Sequence, residues 1–178
     1  MDPRLVAREL TPTGFDALAT IDRSERIDGH YVLDGDALRY VAAPVEVAGW
    51  SPGHADELVA RLHEIHAAGG VVVGAWHGEA LVGLAALDVR AVGGDPRVMD
   101  LAVVHVSRAH RGQGVAKHLI AVLSARAAAL GAAALYISAT PTRNTVDAYR
   151  GVGARLAAPP DPELLAREPD DIHLVLPL

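Results

Sequence analysis

The chain has 178 residues, a hydrophobic fraction of 51%, a formal net charge of -6 and no cysteine. That length and apolar content predict one folded domain over residues 1–178 and exclude a disordered chain. The missing cysteine excludes disulfides, thiolate metal sites and a cysteine nucleophile, and the acidic balance argues against nucleic acid as the main partner.

Arg4 to Leu10 alternates like a first strand. Thr11 or Thr13 is placed to cap a short helix through Phe15, Leu18 and Ile21. Asp22 to Gly53 is polar and Asp/Gly-rich, with a short strand expected at Leu38 to Val41 and the rest unread. Ser51-Pro52 predicts a helix start, serine as N-cap and proline at the first position, with Leu58, Val59, Leu62 and Ile65 on one face and Gly69-Gly70 as its end. Val71 to Trp76 and Ala80 to Leu87 read as a hairpin around His77-Gly78-Glu79. A turn at Gly93-Gly94-Asp95-Pro96 precedes a strand at Val98 to Val106. Gln113 to Leu130 is the longest helix, closed by Gly131. A strand at Ala134 to Ala139, a short helix at Asn144 to Arg150, a proline- and acid-rich excursion to Asp171 and a terminal strand at Ile172 to Leu176 complete the order. Hairpin strands followed by strand–helix–strand predict an α+β fold. Its central sheet is mixed, with antiparallel hairpin strands, a parallel splayed pair and flanking helices. No apolar run is long enough to cross a bilayer, and MDPRLVAREL lacks a signal-peptide layout, so a cytoplasmic protein without a membrane partner is expected.

The chemistry concentrates in Val98 to Ala116. A β-branched strand runs through Arg111-Gly112-Gln113-Gly114 into a helix start. Helix-start N–H groups lack intrahelical acceptors, the helix dipole favours an anion, and glycines let a phosphate approach the backbone. This predicts a cradle for a phosphorylated cofactor. No Gly-Lys-Ser/Thr follows, so it is not a P-loop, and it is not a dinucleotide fingerprint.

Arg111-Gly112-Gln113-Gly114-Val115-Ala116 resembles the Arg/Gln-x-x-Gly-x-Gly/Ala motif of the GNAT superfamily of N-acetyltransferases. Asn144-Thr145-Val146-Asp147-Ala148-Tyr149, followed by Gly153, is similar to that family's Asn…Tyr…Gly segment. The resemblance covers roughly Val98 to Ala154. Asn144 to Tyr149 is two residues shorter than the commonest spacing, and Ala154 stands where an aromatic is usual. The resemblance implies acetyl-CoA as co-substrate, its pyrophosphate held by Arg111 to Ala116 and its pantetheine arm by the backbone at Val104 and Val106 and by Asn144, whose other reading is the N-cap of its helix. It also implies Tyr149 as the acid that protonates the departing thiolate.

An attacking ammonium must lose a proton, and Asp100 is the candidate base. It sits in the strand before the motif, with Ala102, Val104 and Val106 as its alternation partners. Glu25 and Asp28 compete for that role. With Tyr31 they belong to a segment, Glu25 to Tyr31, expected to be an acceptor-recognition loop. His54, His63 and His66 lack zinc-helix spacing, so no metal is expected. His105 and His110 flank the motif, as phosphate contacts or as exposed side chains. The expected activity is acetyl transfer to a primary amine of a small molecule or peptide, by direct attack in a ternary complex. The fold is compatible with a homodimer. A non-catalytic acyl-CoA sensor and a nucleotide-phosphate binder are the competing readings.

Overall fold

The computed structural model describes residues 5–178. The strand expected from Arg4 is β1 (Leu5–Glu9), with Arg4 itself outside the described residues. A 3₁₀ turn at Pro12–Thr20 then buries Phe15 and Leu18. Thr11 stands at its N-cap, but its hydroxyl pairs with Thr13 Oγ1 at 3.1 Å and caps no backbone N–H.

The unread stretch is a long hairpin, β2 (Glu25–Asp34) and β3 (Ala37–Val47), turning at Gly35 with φ of +61°. The expected strand at Leu38 to Val41 is the middle of β3, and the expected loop at Glu25 to Tyr31 is strand. This ribbon is largely solvated, so it lacks the apolar alternation of a half-buried strand. It docks against the turn that follows β7 (Ala134–Ala139) and against α3 (Arg143–Arg150). Tyr31 N donates to Pro141 O at 2.7 Å, Tyr31 Oη bonds Asp147 Oδ1 at 3.0 Å, and the Arg143 guanidinium lies 3.8 Å from the Tyr40 ring centre.

Helix α1 (His54–Ala67) starts later than Ser51-Pro52 suggests. Gly53, at φ of +79°, takes the cap position, and its carbonyl accepts from Glu57 N at 3.0 Å. A left-handed cap residue favours glycine, which outweighs the serine two positions earlier. β4 (Val71–His77) and β5 (Ala80–Asp88) form the expected hairpin, and β6 (Val98–Val106) and β7 match their predicted bounds. α2 (Val115–Ala129) begins after Gly114. A Cβ on Gly83 of β5 would meet Val115 Cγ1 at 3.0 Å, so that glycine lets the start of α2 lie against the sheet. α3 is capped by the Thr142 hydroxyl, which accepts from Thr145 N, so Asn144 lies inside the helix. β8 (Arg155–Leu156), α4 (Pro162–Arg167) and β9 (Ile172–Pro177) complete the chain, with the Asp161 carboxylate capping α4.

The main sheet runs β1-β4-β5-β6-β7-β9-β8, and β2-β3 forms a separate ribbon. Within the main sheet β6 and β7 pair in parallel, and the other neighbours are antiparallel. One core packs α2 and Tyr149 of α3 against Leu87, Leu101 and Leu135. The other packs α1 and the 3₁₀ turn against Leu84, Ala86 and Val103. Among the described residues no helix is long and apolar enough to cross a membrane.

Candidate active site

The parallel β6–β7 ladder holds for three residue pairs, Val98 with Ala134, Met99 with Leu135 and Asp100 with Tyr136. Beyond them the strands diverge, β7 continuing against β9 and β6 against β5. The divergence leaves one edge of β6 open. Ser107 N donates to Val82 O at 2.9 Å, so ladder alternation turns the N–H and C=O of Val104 and Val106 toward that open edge.

A bulge shifts the register between Ala86–Val103 and Leu87–Leu101. It reverses the side-chain alternation expected for Asp100. Leu101 belongs to the α2-side core, and Val104 and Val106 pack against that core, whereas Val103 belongs to the α1-side core. Asp100 therefore shares the α1 face with Val103 and His105, and Val104 and Val106 point the other way. A strict two-residue period cannot anticipate an inserted residue.

At the end of β6 the chain enters the glycine loop. Gly112 and Gly114 have φ of +71° and +83°, and a Cβ on either would meet nothing within 4 Å. The loop is open above its backbone, and the first N–H groups of α2 lack intrahelical acceptors there. Arg111 points away from this opening. Its Nε donates to Val106 O at 2.9 Å, its Nη1 to Ser24 O at 3.1 Å, and Glu25 Oε2 lies 3.4 Å from Nη1. Gln113 Nε2 donates to Ala109 O at 2.8 Å. Both long side chains therefore brace the loop, and its backbone is left open at Gly112 and Gly114. His110 Nδ1 is buried without a hydrogen-bond partner.

Glu25 and Asn144 meet across the mouth of the divergence, Asn144 Nδ2 donating to Glu25 Oε1 at 3.0 Å. Glu25 thus joins Arg111, at the end of β6, to α3, which follows β7. Tyr149 is buried at 8% exposure, and burial, with Asp100 and Asp171 adding to it, drives its phenol far above the ordinary value. It stays protonated and available as a donor.

Asp100 sits where the two strands part, with a side-chain exposure of 10%. Burial raises its pKa from 3.8 to about 6, outweighing the opposing pull of Arg61, whose Nη2 lies 3.4 Å from Oδ2. Arg61 also reaches Glu168 Oε1 at 3.6 Å. Across the β5–β6 ladder, Asp88 is the register partner of Asp100. Burial pushes the Asp88 carboxyl up, but its hydrogen bonds from Arg90 hold it below the usual range. His105 lies edge-on to Trp50 at 5.0 Å. Burial, then Arg23, lowers its pKa to about 4, so it is neutral at pH 7.

A cavity of about 750 Å³ opens between the β2–β3 ribbon and residues 165–172. Tyr31 lines it; Glu25 and Asp28 do not. Asp28 is an exposed residue of β2, its carboxylate 3.2 Å from the Arg26 guanidinium. The sequence reading missed Arg61, Asp171 and Ser138. Asp171 was visible only as the end of an acidic excursion. Ser138 Oγ is buried without a partner on β7, past the last residue paired to β6. Among the described residues no group of three or more His, Asp or Glu could hold a metal ion.

This arrangement agrees with what comparison finds. The fold is similar to nourseothricin acetyltransferase, with 19% identity, 98% of each chain covered and a TM-score of 0.71. It is also similar to a putative streptothricin acetyltransferase from Bacillus anthracis in complex with acetyl coenzyme A, with 17% identity, coverage of 98% and 97%, and a TM-score of 0.65. A third similar structure is the ribosomal-protein-S18-alanine N-acetyltransferase of Escherichia coli, with 15% identity, coverage of 97% and 93%, and a TM-score of 0.62. At these identities the likeness shows the fold. No curated protein matches the chain. The acetyltransferase (GNAT) family model matches residues 36–154, more than half of the chain and spanning the diverging strands, the glycine loop and Tyr149. The chain belongs to the GNAT family of acetyltransferases.

Proposed function

We propose that this protein is an acetyl-CoA-dependent N-acetyltransferase that acetylates a primary amine of a small molecule or peptide by direct attack in a ternary complex. The observation that carries this reading is the divergence of β6 and β7 after Asp100 and Tyr136, with the open glycine loop at one end and Tyr149 buried alongside. The Bacillus anthracis neighbour was crystallised with acetyl coenzyme A, and the Escherichia coli neighbour is by name an N-acetyltransferase.

The residues present fit such a co-substrate. Gly112 and Gly114 leave space above a backbone that presents N–H groups, where a pyrophosphate is favoured. Gln113, Val115 and Ala116 complete that loop, and Arg111 holds its shape from behind. The open N–H and C=O of Val104 and the N–H of Val106, whose carbonyl Arg111 already holds, receive an extended amide-bearing arm as a strand edge receives a peptide. Asn144, whose amide here donates to Glu25, would hold the arm on releasing that bond. The bound thioester supplies the acetyl group.

The chain's own residues then manage two protons. Asp100 is ionised above about pH 6 and accepts the proton that the incoming ammonium must lose. The new N–C bond forms as the C–S bond breaks, the Tyr149 phenol gives its proton to the departing thiolate, and the second proton, shed by the acylated nitrogen, restores the phenol. Tyr31, in the cavity wall, and Glu25, at the mouth, shape the approach of the acceptor. The test is an initial-rate study with acetyl-CoA and a panel of amines. Intersecting double-reciprocal lines are expected, and parallel lines would contradict direct attack. Binding of CoA with no thiol release from any amine would contradict the enzyme reading altogether.

A further inference from the structure

The cavity beside the β2–β3 ribbon has an uneven chemistry. Ile27, Leu33 and Val45 supply one wall, and Leu165 and Ile172 the other. Leu33 and Val45 are 58% and 52% exposed, so a large part of the ribbon's wall is bare apolar surface. Two of the polar groups that reach the cavity are already engaged. Tyr31 Oη bonds Asp147, and Thr142 Oγ1 bonds Thr145. The carboxylates of Asp170 and Asp171 are not. Among the described residues neither has an arginine or lysine within ion-pairing distance. Asp171 is also close enough for its charge to act on the Tyr149 phenol, so the acidic end of the cavity is the end nearest the reacting groups.

A cavity with one acidic end and apolar walls complements a molecule with one cation and an apolar body. A polyamine fits it poorly, because its further ammonium groups would lose water against Leu33 and Val45 with no carboxylate to replace it. A small amine would leave those side chains uncovered. We propose that the acceptor is a monoamine on an apolar body, such as an arylalkylamine, seated between the β2–β3 ribbon and residues 165–172 with its ammonium directed to Asp171. This rests on the N-acetyltransferase reading above.

The experiment compares kcat/KM for 2-phenylethylamine, ethylamine and spermidine on the full chain. 2-Phenylethylamine should exceed each of the others by about tenfold or more, since each apolar group seated in a pocket discriminates by at least that factor. Val45→Asp should remove this preference by raising KM for 2-phenylethylamine, with KM for acetyl-CoA unmoved. Asp171→Asn should raise KM for both monoamines. Spermidine or ethylamine as the better substrate would overturn the proposal and leave N-acetyl transfer standing. If no amine is acetylated, calorimetric titration with 2-phenylethylamine decides separately. Binding that Val45→Asp weakens would support the site without the reaction, and no binding would overturn it.

Discussion

Asp100→Asn separates what a buried carboxylate does for catalysis from what it does to stability. The asparagine keeps the shape and removes the ionisable group. In the folded chain, burial raises the carboxyl pKa from 3.8 to about 6, because Arg61 at 3.4 Å only partly offsets the lost water. Such a rise corresponds to about 3 kcal/mol. The folded state holds this proton more tightly than the unfolded state, so the parent loses stability as pH climbs from about 4 to about 6, and the loss is complete above that range. His105 acts in the opposite direction. Burial lowers its pKa to about 4, so it costs stability as pH falls from 6.5. Both chains contain His105, so it cancels in their difference. Urea unfolding of Asp100→Asn and parent, side by side from pH 4 to pH 7, should show the variant gaining about 3 kcal/mol on the parent across that range. Arg61 keeps Glu168 at 3.6 Å and is not stranded. The same variant should lose most of its kcat/KM, and with it the acid limb near pH 6 expected of the parent. A stability difference that does not change with pH would refute the burial argument. An unchanged rate profile would remove Asp100 from the proton path.

Four further substitutions test the rest of the site. Tyr149→Phe should lower kcat by about 100-fold, within the range for a lost general acid, with acetyl-CoA affinity kept; steady-state kinetics and calorimetry decide it. Gly114→Trp, at φ of +83° and above the open loop, should abolish acetyl-CoA binding in calorimetry. Ser138→Ala should raise stability by about 1 kcal/mol, because it deletes a buried hydroxyl without a partner, and differential scanning calorimetry would see this as a higher Tm. Arg111→Ala frees the carbonyls of Val106 and Ser24 and releases Glu25, and should both lower Tm and raise KM for acetyl-CoA.

Much of the central sheet was legible in the residues because its strands are buried on both faces and read as apolar runs. β6 and β7 are of this kind, and the glycines between β6 and α2 mark the loop. Apart from Leu38 to Val41, the β2–β3 ribbon was not legible, because both of its faces are largely solvated and leave no periodic apolar signal. Its one local cue, Asp34-Gly35-Asp36, was not enough. The surroundings of Asp100 were misread because an unseen bulge reversed the faces of β6. Arg111 illustrates a different limit. Its place beside an anion loop is evident from the motif, but its bonds to Ser24 and Glu25 join residues far apart in the chain, and no local pattern encodes them.

The most direct measurement is mass spectrometry of the products after the protein is mixed with acetyl-CoA and 2-phenylethylamine. The account predicts free CoA and N-acetylated amine in equal amounts, formed by the parent and nearly lost in Tyr149→Phe. CoA released without an acetylated amine, or equal product from parent and Tyr149→Phe, would contradict it.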